Sequence, residues 1–158
     1  MLAANVLGLA SPALAGGGDP AFEHRVLSRD FWAEGAAVGD LDGDGVLDVA
    51  AGSQWWRGPD FGARRPLRAG EPFGPHGYSD AFFWWTRDFD GDGRLDLLQV
   101  GFPGRAAHWL EEPGRASAGD AAFVSAHLVF PAIDNESPAF ADLTGDGAPE
   151  LVFQAGGR

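Results

Sequence analysis

Three nine-residue stretches of the chain place oxygen-bearing side chains at the same spacing. They cover residues 40–48, 88–96 and 142–150. Such a side chain occupies positions 1, 3, 5 and 9 of each stretch, and Gly occupies positions 4 and 6. Carboxylates held this close together repel one another unless a cation lies among them. Oxygen ligands on a loop bent by Gly suit Ca²⁺, which takes about 6–8 oxygens in a flexible geometry. The spacing therefore predicts a calcium-binding loop in each stretch.

The same opening residues also begin an EF-hand loop, and the sequence argues against that alternative. An EF-hand supplies a bidentate Glu at its twelfth position and carries a helix on each side. The twelfth residue here is Ala51, Gln99 or Phe153, none of which has a carboxylate. The flanking residues are rich in strand formers rather than helix formers. We therefore exclude the EF-hand and, on the same grounds, a dockerin-like loop.

Strand-like stretches flank each loop and repeat with it. The loops begin 48 and 54 residues apart, a period typical of blades or solenoid units. Helical periodicity is absent, and 24 Gly and 11 Pro interrupt the chain. We predict about four strands per repeat, the content of one propeller blade. The strand before each loop is predicted at residues 36–39, 82–86 and 138–141, and the strand after it at 46–52, 95–101 and 150–156. A third strand is predicted at 55–59 and 108–114, and a fourth strand at 22–27 and 126–130.

Two segments are predicted to be loops because Gly and Pro are frequent in them. They are residues 58–79 and 111–121. Within the first, the sequence assigns no strand to residues 61–79.

The composition is that of a globular protein whose acidic residues are concentrated in the three loops. The chain has 158 residues, 45% of them hydrophobic, with 6 Trp and 12 Phe to form a core. Its net charge is -12, and 11 of its 23 acidic residues lie in the loops. A basic stripe that could neutralise phosphates is absent, which argues against nucleic-acid binding. The chain has no Cys, so disulfides and zinc–thiolate sites are excluded and the compartment is left open.

The N-terminus resembles the end of a secretory signal peptide over residues 1–15. Residues 2–14 are apolar and small, and Ala13-Leu14-Ala15 reads as a cleavage site before a linker at residues 16–21. The basic residues that begin a signal peptide are missing, since the first Lys or Arg is Arg25. An ordinary flexible N-terminus is the alternative. With export, the protein is expected to be secreted, periplasmic or at the cell surface. No segment is long enough to span a membrane.

Residues Val38-Gly-Asp-Leu-Asp-Gly-Asp-Gly-Val-Leu-Asp-Val-Ala-Ala-Gly52 resemble an FG-GAP or VCBS-type repeat, the unit of integrin-like β-propellers. Residues 78–82, 100–104 and 134–138 are similar to stretches of large bacterial exported proteins that carry such repeats. The resemblance covers about residues 22–158. It implies an all-β fold: a partial β-propeller of about three four-stranded FG-GAP-like blades, with a calcium-binding hairpin loop joining two strands of each blade.

The same resemblance implies a ligand set for Ca²⁺ in each loop. The third loop departs from the pattern, because Thr144 is neutral and Glu150 is one methylene longer, so its binding is expected to be weaker. A tight Gly-rich turn without metal is the alternative for each loop. The implied ligands are Asp40, Asp42, Asp44, the Val46 carbonyl and Asp48; Asp88, Asp90, Asp92, the Arg94 carbonyl and Asp96; and Asp142, Thr144, Asp146, the Ala148 carbonyl and Glu150.

Two further groups of residues allow more than one interpretation. In Trp55-Trp56 and Trp84-Trp85, adjacent side chains face opposite ways on a strand, so each pair could form core between sheets or present a ring to a sugar. Arg57, Arg64 and Arg65 are interpreted as solvated loop charges.

The sequence favours a calcium-binding, non-enzymatic extracellular interaction or adhesion module, in which Ca²⁺ rigidifies the hairpins. Its partner would be a protein or a glycan at the cell surface, an expectation that rests on family analogy. The alternative is an accessory domain, with or without glycan binding, of a larger exported enzyme whose catalytic part lies elsewhere. A closed propeller needs typically about 4–8 blades, so we expect this chain to be part of a longer protein with further blades. Pairing with a second copy is the other possibility.

Overall fold

The computed structural model describes residues 5–9, 22–112 and 125–157. These ranges contain twelve β-strands and no helix. None of the described segments forms a helix that is long and apolar enough to cross a membrane. The strands are β1 (Asn5–Leu9), β2 (Phe22–Val26), β3 (Ala37–Gly39), β4 (Asp48–Ala51), β5 (Gln54–Trp56), β6 (Arg64–Pro66), β7 (Phe83–Arg87), β8 (Asp96–Val100), β9 (Arg105–Glu111), β10 (Ser125–Ile133), β11 (Ala139–Ala141) and β12 (Glu150–Val152).

Two four-stranded antiparallel sheets have the same strand order, and each follows the chain direction. The first sheet runs β3-β4-β5-β6, and the second runs β7-β8-β9-β10. Each acidic loop is the connection between the first and second strands of its sheet. A third sheet, β11-β12, repeats the same hairpin with the third loop as its connection. The all-β prediction and the repeat of one strand–loop–strand unit are therefore confirmed.

Three buried clusters form the hydrophobic core of the described residues, and two of them lie between sheets. Trp55 of the first sheet and Trp84 of the second lie in one buried cluster with Leu97 and Leu110. On the opposite face of the first sheet, Trp56 is 1% exposed and packs against a second cluster. Adjacent Trp residues on a strand thus face opposite sides, as their alternation predicts.

The second and third sheets are joined by a third layer. Val100, Ala107 and Ile133 are buried there, with Leu151 and Phe153 of the third repeat packed against them. Trp85 faces this layer, with its ring centroid 5.8 Å from that of Phe140. The described Trp pairs are therefore largely core residues, and their sugar-stacking interpretation is wrong for Trp55, Trp56 and Trp84, which are buried.

Strand β6 corrects the sequence interpretation of residues 58–79 as a loop. Its residues, Arg64-Arg65-Pro66, have no apolar alternation, so nothing in them signals a strand. They become a strand by pairing with β5 at the edge of the sheet, where a Pro is tolerated. The guanidinium carbon of Arg65 lies 5.6 Å from the centroid of the Trp55 ring, and Arg65 is the partner of Trp55 in the strand register.

The prediction for residues 22–27 is half right. They form a strand, but β2 pairs with β1 rather than completing the first sheet. Strand β1 lies within the predicted signal peptide of residues 1–15. The cleavage site and the linker at residues 16–21 lie outside the described residues, as do residues 113–121 of the second predicted loop. The signal peptide therefore stays a prediction.

We expect Gly52→Ala to destabilise the protein more than Gly104→Ala. Both residues have a positive φ, 63° and 85° respectively, which costs an L-residue about 1–2 kcal/mol. A Cβ at Gly52 would also lie 2.1 Å from the carbonyl oxygen of Trp32, whereas a Cβ at Gly104 meets nothing within 4 Å. Denaturant unfolding of both variants measures the difference, and equal losses would show that the Trp32 contact is unimportant.

Candidate metal centres

All three acidic loops have the same backbone conformation. In each loop the glycines at positions 4 and 6 have φ between 70° and 88°, a region that a Cβ disfavours. This turns the intervening N–H groups inward, toward the side chain of the first residue. The six glycines are Gly43, Gly45, Gly91, Gly93, Gly145 and Gly147.

The first carboxylate of each loop accepts these backbone N–H groups. Asp40 accepts them from Asp44 and Gly45, both at 2.9 Å. Asp88 accepts one from Gly93 at 2.9 Å, and this hydrogen bond is the main reason that the pKa of Asp88 is lowered. In the third loop, the Gly147 N–H does the same for Asp142, whose pKa is also lowered. These hydrogen bonds fix the direction of each first carboxylate.

The ninth residue of the first two loops is a buried carboxylate that connects the loop to the third strand of its sheet. Asp48 is 0% exposed and accepts N–H groups from Leu41 in the loop and from Gly58 just after β5, both at 2.9 Å. Asp96 likewise accepts from Phe89 at 3.1 Å and from Glu112, after β9, at 2.9 Å. Burial raises the pKa of both carboxyls, although these hydrogen bonds oppose the rise.

Glu150, the ninth residue of the third loop, differs from its two counterparts. It accepts the N–H of Leu143 at 2.8 Å, and this hydrogen bond is the main cause of its lowered pKa. It also accepts the hydroxyl of Thr144 at 3.2 Å. Glu150 is only half-buried, and its described hydrogen bonds stay within the loop.

Three carboxylates converge in each loop. One oxygen from each member lies within 4.8 Å of the others in three groups: Asp40, Asp42 and Asp48; Asp88, Asp90 and Asp96; and Asp142, Asp146 and Glu150. The predicted ligands at positions 1 and 9 are thus brought together in all three loops. Hard carboxylate oxygens at this separation fit a cation such as Ca²⁺, with Asp40, Asp42 and Asp48 as the holding residues in the first loop.

The fifth residue of the first two loops lies outside these groups and pairs with a guanidinium. Asp44 accepts the N–H of Val46 at 2.8 Å, which is the main cause of its lowered pKa, and pairs with Arg57. Arg57 also lies 2.8 Å from Asp42. In the second loop, Asp92 pairs with Arg94, whose guanidinium also contacts the buried Glu112. The interpretation of Arg57 as a solvated charge is therefore wrong.

Three of the predicted ligands are main-chain carbonyls, and the described contacts of those residues involve their N–H groups instead. The N–H groups of Val46, Arg94 and Ala148 donate to the carboxylates at the fifth positions, at 2.8–2.9 Å. Ligation by their carbonyls stays a prediction. Thr144 contributes its hydroxyl to Glu150 rather than joining the carboxylate group.

Sequence reasoning missed the two arginines and the second role of Asp48 and Asp96. Arg57 lies 13 residues beyond Asp44 and reaches it only because β5 returns alongside β4. Arg94 sits at the seventh position of its own loop, where the other loops have Val46 and Ala148. In the sequence, the available signal for such an ion pair is a basic residue either just after the third strand of a repeat or at the seventh position of the loop.

Successive antiparallel sheets, each with an Asp- and Gly-rich loop in its first hairpin, define a class of all-β repeat proteins. Two family models match this chain: an FG-GAP-like repeat over residues 88–153 and an FG-GAP repeat over residues 31–63. The chain is an FG-GAP-type repeat protein. No curated protein and no solved structure matches it.

We expect Asp96→Ala to destabilise the protein in chelator, where no metal contributes. The substitution leaves the N–H groups of Phe89 and Glu112 without their acceptor, at a cost of about 1–3 kcal/mol. The matched control is Asp90→Ala in the same loop, which removes an exposed side chain and is expected to change stability by less than about 0.5 kcal/mol. Denaturant unfolding in chelator distinguishes them, and an equal effect of the two would contradict the clamping role of Asp96.

We expect the stabilising effect of Asp142 to disappear in acid. Because its folded pKa lies below its ordinary value of 3.8, the contribution is complete above that pH and is lost as pH falls through the folded pKa. Melting temperatures of the wild type and Asp142→Asn, measured in chelator across this range, should differ at neutral pH and converge in acid. A difference that does not change with pH would rule out the linkage.

Proposed function

We propose that this chain is a calcium-binding, non-enzymatic interaction module in which Ca²⁺ rigidifies the hairpins. The observation that carries the proposal is the convergence of three carboxylates within 4.8 Å in the loop of each of the three repeats. Closely spaced like charges on a Gly-bent loop are unfavourable without a counter-cation, and Ca²⁺ is the common cation that prefers such oxygens.

The first two sites are proposed to connect three strands each. A cation held by Asp40, Asp42 and Asp48 would fix the β3–β4 hairpin, and Asp48 already connects this hairpin to the backbone after β5. The ion supplies positive charge at the place where the carboxylates repel one another. Asp44 and Asp92 would join the ligands by exchanging a guanidinium for the ion, as the sequence predicts.

The third site is proposed to bind more weakly. It has Asp142, Asp146 and Glu150, with the neutral Thr144 where the other loops have a carboxylate. Ligand charge sets calcium affinity in such loops, so one carboxylate fewer lowers it.

We also propose that the sheets are consecutive blades of a β-propeller. The first two have the same strand order and pack against each other through one buried cluster. Their first strands lie side by side, with the Thr86 hydroxyl 3.1 Å from the carbonyl oxygen of Val38. The third sheet packs on the second, so the sheets follow one another in chain order. Further blades would come from the rest of a longer chain, since a propeller has typically about 4–8.

An extracellular location and a protein or glycan partner follow from the family rather than from the site. FG-GAP repeats are typical of extracellular interaction modules and are generally non-catalytic. The predicted signal peptide at residues 1–15 agrees with export. The interaction surface is then expected to lie on loops that the calcium-bound hairpins hold rigid.

Calorimetric Ca²⁺ titration of the full chain tests the proposal. We expect two strong sites and a weaker third, and a melting temperature that rises with calcium, because a ligand at 100 times its Kd stabilises the native state by about 2.7 kcal/mol. Asp42→Asn and Asp90→Asn should each remove one strong site. The control is Asp30→Asn, an exposed acidic residue outside the loops. Absence of binding, or full stoichiometry in both loop variants, would refute the sites.

A further inference from the structure

We infer that a cleft between the second sheet and the connection from β6 to β7 is a carbohydrate-binding site. The cleft encloses about 950 Å³, within the usual size range of ligand pockets and large enough for a small oligosaccharide. Its lining comes from the connection between β6 and β7, the turn between β8 and β9, and residues of β8, β9 and β10. The acidic loops join other strand ends, so this site is separate from the metal centres. The inference rests on the proposed interaction module and names its ligand class.

One wall of the cleft is an aromatic ring that faces solvent. Tyr78 is 69% exposed, although the Trp residues at 55, 56 and 84 are all buried. Its ring is held from behind, with its centroid 5.1 Å from Phe102 and 6.0 Å from Phe82. Phe82 and Phe102 themselves meet edge to face at 5.3 Å. An exposed ring held in a fixed orientation is a surface on which the C–H face of a sugar can stack at low entropic cost.

Polar side chains also line the cleft. Gln99, on β8, is 8% exposed and donates its Nε2 to the carbonyl oxygen of Asp80 at 2.8 Å. The carboxylate of Asp80 pairs with Arg68 at 2.6 Å and is half-exposed. His108 is the partner of Gln99 in the strand register, so both lie on one face of the second sheet. Donors and acceptors therefore stand next to one another in a fixed arrangement.

This combination suits a carbohydrate better than the other common ligands. A sugar presents vicinal hydroxyls, which need adjacent donors and acceptors, beside an apolar face that needs a ring. An added peptide strand would pair along a free sheet edge, whereas only Ala126 and Pro131 of the edge strand β10 line the cleft, and Pro131 has no N–H to donate. Nucleic acid would meet a chain with a net charge of -12.

The ligand is identified by testing whether immobilised polysaccharides retain the full chain with calcium present. The polysaccharides are xylan, mannan, cellulose, chitin, pectin and alginate. We expect at least one of these polysaccharides to retain the protein. Calorimetry with oligosaccharides of that polysaccharide then measures the affinity of variants. Tyr78→Ala should weaken binding by roughly tenfold, the value of one aromatic contact, and Tyr78→Phe should leave it nearly unchanged. The control is Phe22→Ala, since Phe22 is 57% exposed and lies outside the cleft.

Either of two results would overturn the inference: no retention on any of the six polysaccharides, or binding that Tyr78→Ala leaves intact. Calcium titration and melting of the same preparations keep this result separate from the proposed calcium-binding function. If calcium binds and stabilises every variant while no glycan does, the carbohydrate site fails alone. If calcium has no effect either, both fail.

Discussion

The buried carboxylates Asp48 and Asp96 are the interaction on which the rest of the molecule depends. Each accepts one N–H from its own loop and one from the chain just past the third strand. A buried ionised group is unfavourable unless such hydrogen bonds compensate it. The loop conformation, the β-hairpin and the return of the third strand are therefore coupled, because none of them can change without leaving the carboxylate or its donors unpaired. The glycines make this possible by turning the loop backbone inward.

The remaining loop carboxylates raise a charge problem, which the chain meets with guanidinium groups from two different places. In the first sheet the cation comes from Arg57, beyond β5, and in the second it comes from Arg94 within the loop. Different sequence positions thus bring the same group to the same carboxylate. The third loop has Ala148 where the second loop has Arg94. It also has Thr144 in place of an acidic residue, so it carries less charge to balance.

Local spacing predicted the loops and most strands, and long-range pairing decided what it missed. The acidic positions, the hairpins around them and the opposed faces of the Trp pairs follow from residues close in sequence. Strand β6 could not be predicted, because Arg64-Arg65-Pro66 forms a strand only beside β5. The contact of Arg57 with Asp44 depends on the register of β4 and β5. The cleft at Tyr78 joins segments far apart in the chain, so no local pattern in the sequence signals it.

The second sheet contributes aromatic residues to the layers on both of its faces, with Trp84 toward the first sheet and Trp85 toward the third. Two of the three buried clusters in the described part of the chain lie between repeats, and only the cluster around Trp56 lies within one. Stability then accumulates along the array from nearest-neighbour interfaces. A gene segment that encodes one such unit can be duplicated or deleted while every remaining interface keeps the same kind of partner. Proteins of this design can therefore change length during evolution without inventing a new hydrophobic interior.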